Sequence, residues 1–235
     1  MRTIGLIGGM SWESTVIYYQ VINELIKERL GGLHSAKILL YSVDFYEIEK
    51  LQSTGEWDKS ADILTDAGKR LELAGTDFIL ICTNTMHKVI PQMKQHITIP
   101  IIHIADAAAQ VLKKQGISVV GLLGTKFTML EDFYKDRLID AGIQVLIPDP
   151  ADVELVNSVI YNELCLGVIR EESRQNLLNI VGKLESKGAR GVILGCTEIG
   201  LLIQQKDTKL PVFDTTLIHA EKAAELAIEK ELETI

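Results

Sequence analysis

Two short segments carry residue types that could do chemistry, Cys82-Thr83-Asn84-Thr85 and Cys196-Thr197-Glu198. Each follows an apolar run of strand length, Phe78-Ile-Leu-Ile81 and Val192-Ile-Leu-Gly195. A cysteine at the end of such a strand can act as base or nucleophile once it is a thiolate. Cys196 stands just before a helix start, where a lowered thiol pKa is expected. The plainer reading of any buried cysteine is a small apolar packing residue. Side chains alternate along a strand, so Cys82 and Thr83 point to opposite faces. Asn84, Thr85, Thr197 and Glu198 are small polar residues at the same strand ends. Their side chains and backbone N–H groups can cradle a carboxylate, or simply cap helices.

Two glycine loops stand at other strand ends. Gly8-Gly9-Met10-Ser11 and Gly124-Thr125-Lys126-Phe127-Thr128 could hold an anion on backbone donors, which brings in Met10, Ser11, Thr125 and Thr128. Neither is a dinucleotide fingerprint or a P-loop. His87, four residues past Thr83, either faces the same site or packs locally. His34, His96, His103 and His219 have no motif around them. Cys165 reads as core at a helix end. No C-x-x-C and no His-x-x-x-His occurs, which argues against a metal site.

The elements that must position these residues alternate between β-branched runs and amphipathic stretches. Strands are expected at Thr3–Gly8, Lys37–Val43, Phe78–Thr83, Ile101–Ile104, Ser118–Gly124, Gln144–Ile147, Gly191–Gly195 and Val212–Asp214. Helices are expected at Trp12–Leu30, Asp58–Ala74, Ala105–Gln115, Glu131–Ala141, Val153–Leu166, Glu171–Lys187 and Leu217–Lys230. This is an α/β chain with largely parallel sheets. It also repeats. Gly5-Leu-Ile-Gly8 matches Gly121-Leu-Leu-Gly124, Gly75 and the strand after it match Gly188 and its strand, and Pro100 matches Pro211, in order and at nearly constant separation. Two similar α/β halves follow, with Thr83 opposite Cys196 and Cys82 opposite Gly195. The expected domains are 1–104 plus 212–235, the last helix returning to the first domain, and 105–211. Ligands of such sheets bind beyond the carboxyl ends of strands, so the expected site is a cleft between the halves.

Composition bounds the function. The chain has 235 residues, 47% hydrophobic and 24% charged, the proportions of a globular protein. A net charge of −8 disfavours general binding to nucleic acid or to an anionic membrane. No apolar run approaches the roughly 20 residues of a membrane span. The N-terminus enters a strand directly, without a signal-peptide pattern, and three scattered cysteines make no disulfide framework. A cytoplasmic protein with free thiols is expected.

Cys82-Thr-Asn-Thr-Met-His-Lys88, Gly195-Cys-Thr-Glu-Ile199 and Gly5-Leu-Ile-Gly-Gly-Met-Ser-Trp-Glu-Ser14 together resemble the cofactor-independent aspartate/glutamate racemase family, and within it the bacterial L-aspartate/glutamate-specific racemases. The resemblance implies two pseudo-symmetric, Rossmann-like α/β domains with the site between them, a homodimer, and no pyridoxal phosphate or metal. It also implies two residues that exchange the substrate Cα proton from opposite faces, both cysteines in most members. Here the residue before Asn84-Thr85 is a threonine. The first position therefore falls on Thr83 and the second on Cys196. The family's basic pair for the distal carboxylate falls near Gln52 and Cys165, both neutral here. The implied activity is racemisation of L-aspartate or L-glutamate. The alternatives are a related single-thiol decarboxylase or isomerase of small dicarboxylic acids, and a carboxylate-binding module without chemistry.

Overall fold

The structure, a computed structural model, describes residues 1–232. Residues 233–235, included above in the first domain, lie outside the described residues. The chain divides into two compact units, one comprising Met1–Ile104 and the segment from His219 onward, the other Ala105–Ile218.

The first unit contains β1 (Ile4–Gly8), α1 (Trp12–Leu30), β2 (Ile38–Ser42), α2 (Phe45–Ser53), α3 (Trp57–Leu73), β3 (Phe78–Ile81), a 3-10 turn at Thr85–Val89, α4 (Ile90–Met93) and β4 (Ile101–Ile102). The second opens with α5 (Ile104–Lys114). It continues through β5 (Val119–Gly124), α6 (Lys126–Leu130), α7 (Asp132–Asp140), β6 (Gln144–Leu146), α8 (Pro150–Asn162), a 3-10 turn at Leu164–Leu166, α9 (Glu171–Ser186), β7 (Val192–Gly195), α10 (Ile199–Leu202) and β8 (Val212–Asp214). The last helix, α11 (Thr215–Leu232), runs back into the first unit.

Each unit is built on a four-stranded parallel sheet, and the two have the same topology. The orders are β2-β1-β3-β4 and β6-β5-β7-β8. The repeat read from the sequence is thus a repeat of architecture. One boundary differs. Residues 212–214 were expected in the first domain, but β8 pairs with β7 in the second sheet. The return to the first unit comes at His219, inside α11.

In the first unit strand alternation sorts the core into two faces. Ile4, Leu6, Phe78, Leu80 and Cys82 pack with Tyr18, Ile22 and Ile26 of α1 and with Ala220, Ala223 and Ala227 of α11. Ile7, Ile79 and Ile81 pack on the other face with Ile48 of α2 and Ala61, Leu64 and Leu71 of α3. Both faces are covered, as a parallel sheet requires. The sequence reading missed α2, α4 and α6, which run only nine, four and five residues and are too short for a helical period to stand out. It also merged α8 with the 3-10 turn after it. Pro150 opens α8 at the first helical position, and Gly167 in the left-handed region closes the turn.

His219 ties α11 to this core. Its Nε2–H donates to the carbonyl of Ile102 at 2.9 Å, so Nδ1 is the acceptor for the Tyr18 hydroxyl at 2.8 Å. The ring is fully buried, and burial pushes its pKa down to about 4. The unfolded chain takes up a proton near pH 6.5 that the folded chain refuses until about pH 4. Stability present above pH 6.5 is therefore lost as pH falls towards 4, by about 3 kcal/mol at most. Urea denaturation at pH 7 and pH 4 should show this loss in the wild type, and His219→Gln should lack that part of it.

Candidate functional site

The glycine loop of the first unit is shaped by a close approach. Gly9 sits at φ +92°, and a Cβ there would fall 2.2 Å from the carbonyl oxygen of Val43. Its N–H is committed to Thr15 Oγ1 at 2.9 Å, so it is not the open anion donor the sequence reading expected. Thr15 Oγ1 in turn donates to the Ser11 carbonyl at 2.8 Å, and Ser11 caps α1 by accepting from the Ser14 N–H at 3.4 Å. The Met10 side chain lies in the apolar core. The Ser14 hydroxyl faces the carbonyl oxygens of Ser11, at 3.0 Å, and Cys82, at 3.4 Å. Thr15 and Ser14, which the sequence reading did not single out, fasten this loop to β3.

At the end of β3, Cys82 continues the ladder by donating its N–H to Ile7 at 2.9 Å. Its side chain belongs to the α1–α11 core, and burial raises its thiol pKa far above the ordinary range. Thr83, the next residue, is half-buried, while Asn84 and Thr85 are buried. Asn84 makes no capping bond to the turn that follows it. The His87 ring bonds backbone on both sides, with Nδ1 2.8 Å from the Thr83 carbonyl and Nε2 3.1 Å from the Ile104 N–H. Gln52, buried near the end of α2, donates its amide to the Met86 sulfur at 3.0 Å.

In the second unit the Thr125 hydroxyl caps α6, accepting from the Thr128 N–H at 3.3 Å with the two hydroxyls 3.2 Å apart. Cys196, Thr197 and Glu198 are all buried. The Cys196 thiol donates to Glu198 Oε2 at 3.0 Å, and the Thr197 hydroxyl donates to the same oxygen at 2.8 Å. Cys165 is half-buried in the 3-10 turn after α8 and close enough to influence the Cys196 thiol. The lowered thiol pKa expected at Cys196 is corrected by the structure. The thiol is pushed well up, first by burial, then by the Glu198 charge, then by Cys165. The expectation leaned on a helix N-terminus, but α10 is one turn long and too short to offset desolvation.

The ladder registers give the correspondence of positions without the sequence alignment. Gly124 pairs with Gly195 in the second sheet, and one step beyond the Ile7–Ile81 pair sets Gly8 beside Cys82 in the first. Cys82 therefore matches Gly195, Thr83 matches Cys196, Asn84 matches Thr197, Thr85 matches Glu198, and His87 matches Gly200. Likewise His103 matches Asp214. Among the described residues no group of three His, Cys, Asp or Glu side chains could hold a metal ion, and no helix is long and apolar enough to cross a membrane.

The scaffold is thus a duplicated parallel α/β fold with a buried, hydrogen-bonded thiol–carboxylate pair at one strand end. The Asp/Glu/hydantoin racemase family model matches residues 7–223, and the chain belongs to that family. By that membership it is an isomerase of the amino-acid racemase class. A candidate Asp/Glu racemase from Yersinia pestis is 53% identical, with 97% of this chain and 100% of that one aligned at a TM-score of 0.91. An aspartate racemase homologue from Pyrococcus horikoshii OT3 is 37% identical over 97% and 99% of the two chains, at a TM-score of 0.84. The broad specificity amino-acid racemase RacX of Bacillus subtilis is 22% identical over 93% of this chain and 95% of that one.

The pair makes one electrostatic prediction. Removing the Glu198 charge removes the second largest cause of the raised thiol pKa. Glu198→Gln should therefore shift the pH profile of Cys196 alkylation by iodoacetamide to lower pH. Cys82 should remain unmodified in the native protein at every pH tested, because its sulfur is enclosed in the α1–α11 core.

Proposed function

We propose that the protein racemises L-aspartate or L-glutamate without a cofactor, with Cys196 as the base for the L-enantiomer and Thr83 serving the opposite face of the substrate Cα. The observation that carries the reading is the hydrogen bond from the Cys196 thiol to Glu198. A thiol held protonated by burial cannot take an α-proton. It can if its own proton first moves to the neighbouring carboxylate. That transfer leaves the net charge of the pair unchanged, so no new charge has to be buried. The thiolate then takes the Cα proton, and the electron pair left on Cα spreads into the substrate α-carboxylate. Donors from Ser11, Asn84, Thr85, Thr125, Thr128 and Thr197 are the candidates to stabilise that developing charge, together with the Met10 backbone. The opposite face receives a proton through the Thr83 hydroxyl, which takes one from water as it gives one. The pair returns its extra proton to solvent, so the cycle balances. Gln52 and Cys165 are assigned to the distal carboxylate. Being neutral, they suit recognition by hydrogen bonding rather than by an ion pair, which fits acceptance of both acidic amino acids. The reading includes a homodimer in the reducing cytoplasm, where its three thiols stay free; size-exclusion chromatography with light scattering tests the dimer.

The test is deuterium incorporation at Cα of L-glutamate and L-aspartate in D₂O. Cys196→Ser should cut incorporation by roughly 10²–10⁴-fold or more. Cys82→Ala should keep most of the rate and lose stability instead, since it empties a packing position. Equal losses of rate in two folded variants would refute the assignment.

Direction gives a second test. With no base at Thr83, D-substrates should show a much lower kcat than L-substrates. The equilibrium constant of racemisation is one, so kcat/KM must be equal for the two enantiomers and KM for the D-form must fall in proportion. Thr83→Cys should raise D-turnover markedly, read by steady-state kinetics with each enantiomer.

A further inference from the structure

The first unit holds three buried histidines that the chemistry above leaves unused. His87 stacks edge-on against His103 with ring centroids 4.6 Å apart, and against His219 at 5.7 Å. His219 is already committed to Tyr18 and Ile102. The stack fixes the plane of the His87 ring, and the ring makes two backbone bonds. A carbonyl oxygen can only accept, so the 2.8 Å contact with Thr83 places the proton on Nδ1. An amide N–H can only donate, so Nε2 accepts from Ile104 at 3.1 Å and carries no proton. Both nitrogens are saturated by backbone, and the ring is neutral by the geometry of its partners. A ring so engaged is not free to relay protons.

We propose that His87 is a positioning residue for the Thr83 side of the reaction, holding the Thr83 carbonyl against the start of α5 and so fixing the height of the Thr83 hydroxyl. The need for such a brace lies in the local chain. The β1–β3 ladder pairing ends at Ile81, and the last rung beyond it is the Cys82 N–H to Ile7. Asn84 does not cap the turn behind it. The Thr83 carbonyl lies beyond that last rung and accepts from the His87 ring. The matching strand end in the second unit is organised differently. Its side chains lock one another through Glu198, and the residue in the place of His87 is Gly200, where a Cβ would fall 2.3 Å from Asp214 Oδ2. This role rests on the racemase reading above, and the experiment separates the two.

The readout is the partition of L-glutamate or L-aspartate in D₂O between Cα deuteration with retention, which needs the Cys196 face alone, and inversion, which needs Thr83 as well. Two isosteric variants divide the ring's bonds. An asparagine amide can stand where Nδ1–H stands, and a glutamine oxygen where Nε2 stands. His87→Asn should keep the wild-type partition within about twofold. His87→Gln should lower inversion relative to retention by roughly tenfold or more, as expected for a reacting group displaced by a fraction of an ångström. A parallel fall of both routes in folded His87→Gln, or an unchanged partition, would overturn the positioning role. Imidazole ¹⁵N shifts of the wild type supply a measurement that needs no variant. A neutral Nδ1–H tautomer at His87 across the neutral pH range is expected, and an Nε2–H tautomer would overturn the bond on which the role depends. Absence of Cα deuteration in the wild type would remove the racemase reading, and this role with it.

Discussion

A thiol and a carboxylate buried side by side hold one negative charge between them far more readily than two. That constraint governs the second unit's strand end. Cys196 is a proton donor in the structure because Glu198 lies at hydrogen-bond distance and carries the charge. Thr197 donates to the same carboxylate oxygen, so three consecutive residues meet at one hydrogen-bonded oxygen. Burial raises the thiol pKa, and Glu198 raises it further. A raised pKa would disable a lone cysteine at neutral pH. In a one-proton pair it makes the thiolate, once formed, a stronger base towards a weak carbon acid. The influence of Glu198 reaches Asp214 as well. That carboxyl is held above its usual range, first by burial and also by the neighbouring Glu198 charge, while its oxygen caps the start of α11.

Matched residue by residue, the first unit shows what the same scaffold does without that pair. A hydroxyl stands for the thiol at Thr83, and another for the carboxylate at Thr85. Neither ionises in the neutral range. Where the second unit has Gly200 and Asp214, the first has His87 and His103 in ring contact. The substitutions are mutually consistent. A carboxylate at the place of His103 would sit against the His87 ring and favour the imidazolium, and a second proton on that ring would oppose the Ile104 N–H. One unit thus gathers a thiol and carboxylates at its strand end, and the other hydroxyls and a pair of stacked imidazoles. The duplicated fold carries unlike residue types at like positions.

Much of this was legible in the sequence. That the two halves share one topology follows from the repeat, because their landmarks match in order, and alternation together with the match of Thr83 to Cys196 turned Cys82 towards packing. What escaped the sequence falls into two kinds. Short helices such as α4 and α6 carry too few residues to show a period. Tertiary polar contacts leave no local pattern at all. His103 and His219 had no motif around them, yet the repeat already set Ile99-Pro-Ile-Ile-His103 beside Leu210-Pro-Val-Phe-Asp214. That match placed His103 at a strand end and was the available signal. The pKa of Cys196 was misread for a related reason. A strand-to-helix junction is visible in sequence, but the length of the helix and the depth of burial decide the sign of the shift.

Glycines allow close packing at the strand ends within each sheet. In the second sheet a Cβ on Gly124 would lie 2.8 Å from the Gly195 carbonyl oxygen, and one on Gly195 would lie 2.9 Å from that of Leu123. Thr128, capped by Thr125, closes over both, its side chain 3.1 Å and 3.2 Å from those two positions. In the first sheet Thr15 of α1 fills the same space over Gly8, where an added Cβ would meet its Cγ2 at 2.4 Å. Each unit therefore packs a threonine from the helix after its first strand onto a glycine at that strand's end. The partner strand is treated differently. Gly195 has no room for a side chain, whereas Cys82 at the matching place fills the α1–α11 face. The residue after each of these is the one proposed above for proton transfer, Cys196 in one unit and Thr83 in the other. The side chain at the matched position is therefore set by packing in both units, by the absence of room at Gly195 and by the α1–α11 core around Cys82.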